Sequence, residues 1–323
     1  MDLVKKIKSN LRLTVQIVFT ALTNGYFLGF AKGKIYQGDS KQLCVPGLNC
    51  YSCPGAVGSC PIGSLQAVLG SRNFKFSFYI IGFLMMIGAF IGRFVCGWLC
   101  PFGLVQDLLY KIPGIKKIKK VIFDKQLRYL KYIILVVFVI IMPLTLTNYA
   151  GDGNPWFCKL ICPSGTLFAG IPLVSMNSSL RRIIGPLFTW KVFILVSTVI
   201  LSIKIYRPFC KYLCPLGGIY GLFNNYSLYK YEVDYDKCTK CGLCEKKCDM
   251  NVAAYKTPNS AECIRCGKCI EVCPKKAIHM ENGRSIIDQD KCIKCGKCEA
   301  ICPQHLPIRE LLEDIAREFE KQE

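Results

Sequence analysis

The chain has 323 residues, 52% of them hydrophobic, and a mean hydropathy of +0.31. That is too apolar for an ordinary soluble protein and fits a few membrane spans joined to a soluble part, with length enough for two domains. The formal charge is +20, from 42 Lys and Arg against 22 Asp and Glu. Much of the excess lies in loops between apolar runs, which argues for the positive-inside rule and against nucleic-acid binding.

Four runs, at 13–30, 76–95, 129–146 and 187–206, approach the roughly 20 residues a bilayer requires. The first follows Lys5, Lys6 and Lys8 and has the outline of a signal peptide, but it is long and no clean small-x-small site follows it. Gly88 and Gly92 in the second form a small-xxx-small pair that permits close helix packing. The N-terminus and the 96–128 loop are rich in Lys and Arg, while loops 31–73 and 148–186 are poorer for their length. This predicts a multi-pass protein of the cytoplasmic membrane with both termini inside. Trp98, Trp156 and Trp190 fall near span ends, where interfacial anchors are expected.

A cysteine followed by Pro-x-Gly occurs four times, at Cys60, Cys100, Cys162 and Cys214. The last three are preceded four residues earlier by Cys96, Cys158 and Cys210; the first has Cys53 seven residues earlier, with Cys50 and Cys44 beyond it. Proline suits the first turn of a helix, so each cysteine should stand at a helix start, where free N–H groups and the helix dipole favour an anion. Two thiolates make half of a four-iron site. Loop topology combines the halves: Cys96, Cys100, Cys210 and Cys214 on the inside, Cys53, Cys60, Cys158 and Cys162 on the outside. Cys44 and Cys50 are left over, with a disulfide, a replacement ligand or a further site all open. The short segments after each Cys-Pro have the length of re-entrant helices.

From about residue 229 the apolar runs stop and cysteines alternate with lysines. Three copies of Cys-x2-Cys-x2-Cys-x3-Cys follow: Cys238, Cys241, Cys244, Cys248; Cys263, Cys266, Cys269, Cys273; and Cys292, Cys295, Cys298, Cys302. This spacing suits 4Fe–4S clusters better than tetrahedral zinc and is too tight for mutual disulfides. Such clusters point to a reducing compartment and an anaerobic or facultative microbe. In two-cluster ferredoxins the fourth cysteine serves the other cluster, which here pairs Cys273 with the first set and Cys248 with the second. The third set either binds with Cys302 or exchanges with the second set instead. Five clusters, three in the tail and two at the membrane, would lower the net charge to about +10 if each carries roughly −2. The final stretch, 306–323, puts Ile308, Leu311, Leu312, Ile315 and Phe319 on one helical face.

The fold expected is an all-α membrane bundle of about four helices (1–228), an α+β ferredoxin-like domain (229–305) and an amphipathic helix (306–323). On the Cys-x3-Cys-Pro motifs at 96–101 and 210–215 and the sets at 238–274, the chain resembles the membrane-bound ferredoxin-type proteins of the NapH/NosR/YccM kind over most of residues 75–275. The resemblance implies a cytoplasmic-facing iron–sulfur protein that passes electrons from a cytoplasmic or quinol donor to a partner reductase, with Cys96, Cys100, Cys210 and Cys214 as membrane-associated ligands. The additional motifs at 50–61 and 158–163 and the third tail set depart from that pattern. They favour conduction across the membrane, to redox partner proteins on the cytoplasmic side and outside, over quinol oxidation. Both histidines, His279 and His305, lie in the tail, so no span can hold a bis-His haem, and no Gly-x-Gly-x-x-Gly marks a dinucleotide site. Quinol oxidation, metal-ion reduction, redox sensing and metalloenzyme assembly are the rival readings.

Overall fold

A computed structural model describes residues 2–71, 78–119, 121–148 and 152–281, together with Pro307 and Leu311. The side chains of 2–10 and of Glu281 are not described. The chain forms two compact units, Met1–Asn282 and Gly283–Glu323. The third cysteine set and all but two residues of the 306–323 stretch lie outside the described residues.

The first unit is mostly helical. Two of its helices, Asp124–Thr145 and Pro186–Lys204, are long and apolar enough to cross a bilayer, at 22 and 19 residues. Leu11–Thr23 and Phe78–Ile91 are apolar but shorter. The run expected at 13–30 does not form one helix. It is helical from Asp2 to Thr23, breaks, and resumes at Phe27–Lys32. The break is fixed locally: the Asn24 side chain donates to Thr20 O at 3.1 Å, and the Tyr26 amide leaves the helix to donate to Gly55 O at 3.1 Å. Phe78, Met85 and Phe90 on one helix, and Trp190, Phe193 and Ile200 on another, leave large apolar side chains exposed.

The two long helices surround the Cys-Pro segments, which form short helices at Pro61–Leu69, Pro101–Tyr110 and Pro215–Phe223. The third repeat starts at Pro163 and widens into a π-helical turn at Thr166–Gly170 before continuing to Met176. The ferredoxin-like part is closed by two antiparallel strands, Lys230–Val233 and Ile278–Glu281, with Val233 opposite Ile278.

Sequence composition predicts a boundary near 228, but the structure joins the two sides there. One hydrophobic core holds Val95, Cys96, Phe102 and Tyr220 together with Met250, Val252 and Ile264. The reason is a set of buried polar contacts across the junction. Arg93 Nη1 donates to Glu262 Oε2 at 2.9 Å, and Lys131 pairs with the other oxygen of Glu262. Arg265, fully buried, donates to Ile91 O at 3.0 Å and to Asn224 O and Ser227 Oγ at 2.6 Å. The Asn224 side chain donates to Ser260 O and Cys263 O at 2.8 and 2.7 Å. Trp98 belongs to this junction: its Nε1 donates to Arg265 O at 3.0 Å and its ring stacks on Phe94, so its place is set by the tail domain as much as by an interface.

Candidate iron–sulfur centres

Each Cys-Pro pair acts as a helix start. Cys60, Cys100, Cys162 and Cys214 all take the N-cap position, with φ between −71 and −77° and proline next. In the last three repeats the turn is closed by one recurring bond, the cysteine amide donating to Val95 O, Phe157 O or Phe209 O at 2.9–3.0 Å. That turn carries the earlier cysteine of each pair, so the x3 spacing presents two thiols on the same side.

The four cysteines expected at the inner site lie together. Cys96, Cys100, Cys210 and Cys214 are 5–6% exposed and lie within electrostatic reach of one another. Two arginines, each three residues before the first cysteine of its repeat, cross to the other repeat. Arg93 Nη2 donates to Cys210 O at 3.2 Å, and Arg207 Nη1 donates to Cys96 O. Gly103 and Gly217, the glycines of the two Cys-Pro-x-Gly motifs, make room for this exchange. A methyl group at either would lie 3.1 Å from Arg207 Nη1 or 3.3 Å from Arg93 Nη2. Arg207 is held by Asp107 through bonds of 2.6 and 2.5 Å, and Arg12 pairs with the same carboxylate. Burial by itself would raise the Asp107 carboxyl, but Arg207 and Arg12 keep it below the ordinary carboxylate range. The balance is the same at Glu262, where Arg93 and Lys131 outweigh burial.

On the outer side the structure selects Cys50 where sequence spacing selects Cys53. Cys50, Cys60, Cys158 and Cys162 line one cavity of about 750 Å³, with Gly63, Gly165 and Lys191. Cys53 points elsewhere, its Sγ 3.7 Å from Asn24 Oδ1. The loop turns sharply at 50–53, where the Cys53 amide donates to Cys50 O at 3.0 Å, and this sends the two sulfurs in different directions. Cys44 is also buried and apart, with Sγ 3.6 Å from Ser59 Oγ. All described cysteines are free thiols.

Two glutamines tie the repeats together. Gln106 Nε2 donates to Cys210 Sγ at 3.0 Å, and Gln66 Nε2 to Cys158 Sγ at 3.4 Å. Each stands six residues after its own Cys-Pro cysteine and reaches the partner repeat of its own site. Sequence reasoning missed Arg93, Arg207, Gln66 and Gln106. The signal for them was internal repetition: Arg-x2-Cys-x3-Cys-Pro occurs at 93 and 207, and Cys-Pro-x-Gly-x2-Gln at 60 and 100.

The tail has its own twofold repeat. Gly242 and Gly267, at φ 73 and 83°, start the turns Leu243–Lys247 and Lys268–Val272, and Cys248 and Cys273 end them. Cys238, Cys241, Cys244 and Cys273 line one cavity, and Cys248 lies among Cys263, Cys266 and Cys269. This grouping places Cys273 beside the first set and Cys248 beside the second. The Val252 amide donates to Cys248 Sγ at 3.4 Å and the Ala277 amide to Cys273 Sγ at 3.3 Å.

The donor chemistry fits a cationic iron centre. Burial pushes the thiols of Cys60, Cys210 and Cys263 up to about 12, so by themselves they stay protonated at neutral pH. Metal binding deprotonates such thiols and makes the set a ligand shell. Peptide and glutamine N–H groups directed at the sulfurs complete it.

Comparison with known proteins gives the same chemistry. A 4Fe–4S binding domain family matches residues 76–120, 130–173 and 187–228, a second of that description matches 231–252, and a 4Fe–4S dicluster domain matches 255–303. An uncharacterized protein of Methanocaldococcus jannaschii is 31% identical over 202 residues, 60% of this chain and 67% of its own length. The ferredoxin-type protein NapH of Haemophilus influenzae is 26% identical, covering 64% of this chain and 70% of its own. YccM of Escherichia coli, named for electron transport, is 26% identical over 66% of this chain and 56% of its own. The chain is a ferredoxin-type 4Fe–4S protein of the NapH/NosR/YccM kind. It binds iron–sulfur clusters and serves electron transfer. No solved structure matches it.

Proposed function

We propose that the chain conducts electrons across the cytoplasmic membrane, from cytoplasmic carriers to an acceptor outside. The observation that carries this reading is the unbroken series of cysteine sets. Cys241 is exposed at one end. Behind it lies the Cys248, Cys263, Cys266 and Cys269 set, with Ile264, Cys248 and Cys266 in or against the core that contains Cys96, Cys100 and Cys214. The Cys50, Cys60, Cys158 and Cys162 set opens onto a cavity at the other end. Bound at these four sets, 4Fe–4S clusters supply one-electron redox steps. The protein's part is to hold the sulfurs, exclude water and supply fixed positive charge.

The described residues account for four sets, and Cys292, Cys295, Cys298 and Cys302 make the fifth. On this reading the two long helices and the apolar helices at 2–23 and 78–91 are the spans, and both termini face the cytoplasm. The Cys-Pro helices of 9 or 10 residues are re-entrant, which keeps irregular backbone buried in protein. The test is electron flux in liposomes between an impermeant reductant on the tail side and an impermeant acceptor on the other. Flux that vanishes in Cys158→Ser, Cys162→Ser supports conduction; intact clusters without flux refute it.

One observation favours a second reading, oxidation of a small carrier such as a quinol. A cavity of about 240 Å³ beside Cys266 is lined by Arg12, Asp107, Tyr206 and Lys268. Under that reading quinol reduces the clusters in detergent, and Arg12→Leu abolishes the reaction while flux from an impermeant reductant persists.

A further inference from the structure

The inner and outer cysteine sets are joined by a few residues of chain. Cys50 belongs to the outer set. Two residues earlier, Leu48 is buried in the same core as Cys100 of the inner set. Gly47 runs so close to that set that a methyl group on it would lie 3.1 Å from Cys100 Cα and 3.1 Å from Pro101 Cδ. Before it, the Pro46 carbonyl accepts a hydrogen bond of 3.0 Å from the Tyr220 hydroxyl. Tyr220 is 0% exposed and lies within electrostatic reach of Cys60 on the outer side and of Cys96 and Cys100 on the inner side. Leu48 and Tyr220 share one packed core with Cys60, Cys96, Cys100, Cys162 and Cys214.

We propose that residues 46–50, pinned by Tyr220, are the bridge through which the inner and outer centres exchange electrons. The path runs from Cys100 across its close contact with Gly47, then along the backbone to Cys50. One electron passes along it, lost at the inner set and gained at the outer; no bond breaks, no proton moves, and Tyr220 stays a neutral phenol. This rests on reading both sets as cluster sites. Packing alone would account for a buried loop, but not for one that carries Cys50 to the outer set while its glycine lies against Cys100 of the inner one.

The test uses full-length protein, purified anaerobically, as wild type, Gly47→Ala and Tyr220→Phe. Iron and sulfide content and the EPR signal of each centre are measured first. Magnetic coupling between the reduced centres, the inner midpoint potential and the single-turnover rate of inner-to-outer transfer after photoreduction follow. Gly47→Ala moves the loop off Cys100. With clusters intact, it weakens the coupling and slows transfer several-fold or more. Tyr220→Phe gives a smaller slowing. Full cluster content with wild-type coupling and rate in both variants overturns the bridge. If Gly47→Ala does not assemble, Tyr220→Phe, which removes only a hydroxyl, decides in the same way. A wild-type protein lacking the outer iron defeats the cluster assignment itself, and the bridge with it, and shows in the iron count rather than in the rate.

Discussion

The inner and outer sites are built from the same repeat but in different electrostatic settings. At the inner site two fully buried arginines cross between the repeats, and both are fixed by carboxylates. At the outer site the position three residues before Cys158 is Pro155, and the charges near Cys50 are two lysines, the partly exposed Lys191 and the buried Lys41. The inner site is sealed; the outer opens onto a cavity of about 750 Å³. Burial with paired cations holds a centre at a fixed potential away from water, as a relay requires. An open site whose cations lack carboxylate partners among the described ion pairs suits exchange with something that arrives from solution.

The largest expected effect separates relay from port. Cys210→Ser removes an inner ligand and abolishes flux from the tail to any outside acceptor, whereas Cys50→Ser abolishes flux but leaves the three other described centres reducible from the tail. EPR with a tail-side reductant distinguishes the two; loss of the tail signals in Cys50→Ser would break the ordering. Next comes the junction. Glu262→Ala leaves Arg93 and Lys131 buried without their carboxylate, a change that typically costs about 3–5 kcal/mol. It should expose the stretch after residue 228 to limited proteolysis while the long helices persist.

The same carboxylate gives a pH dependence. Glu262 and Asp107 are both held below their ordinary values, so their contribution is present above the unfolded pKa and is lost as pH falls through the folded one. Docking of the tail should therefore weaken in acid, below the ordinary carboxylate range near about 4. Glu262→Gln should remove its share of that acid step. Protease sensitivity against pH measures it, and an acid step of unchanged size in Glu262→Gln would contradict the assignment.

Smaller effects should come from single N–H···S bonds. Gln106→Leu removes the donor to Cys210 and should lower the inner potential by an amount on the order of 1 kcal/mol, about 40 mV for one electron. Gln66→Leu should do the same at the outer centre and less strongly, since its contact is longer, 3.4 against 3.0 Å. Lys191→Gln should shift the outer potential least, because a partly exposed charge is screened. Redox titration followed by EPR ranks the three.

Much of the site could be read from cysteine spacing because its constraints are local. A Cys-Pro pair specifies a helix start, and x2 and x3 spacings specify a loop that wraps sulfurs, so the cysteines of each set can be named from the chain itself, while the third tail set leaves the exchange of Cys248 and Cys273 open. The choice of Cys50 over Cys53 depends on which way a turn closes, and no periodicity records that. The junction across 228 depends on Glu262 meeting Arg93 and Lys131, charges far apart in sequence that each look like an ordinary solvated residue. Asn24 and Gly25 interrupt the first apolar run, and the departure of the chain there is decided by a partner at Gly55.

The crossed arginines also bear on how the molecule is made. Arg207 secures Cys96 across 111 positions, and Arg93 waits for Glu262, 169 positions downstream. The Cys96 and Cys100 half of the inner site therefore cannot close as it leaves the ribosome, because Arg207 and Glu262 are synthesised later. A truncated product ending before residue 262 should keep Arg93 without its carboxylate and hold the two halves less firmly.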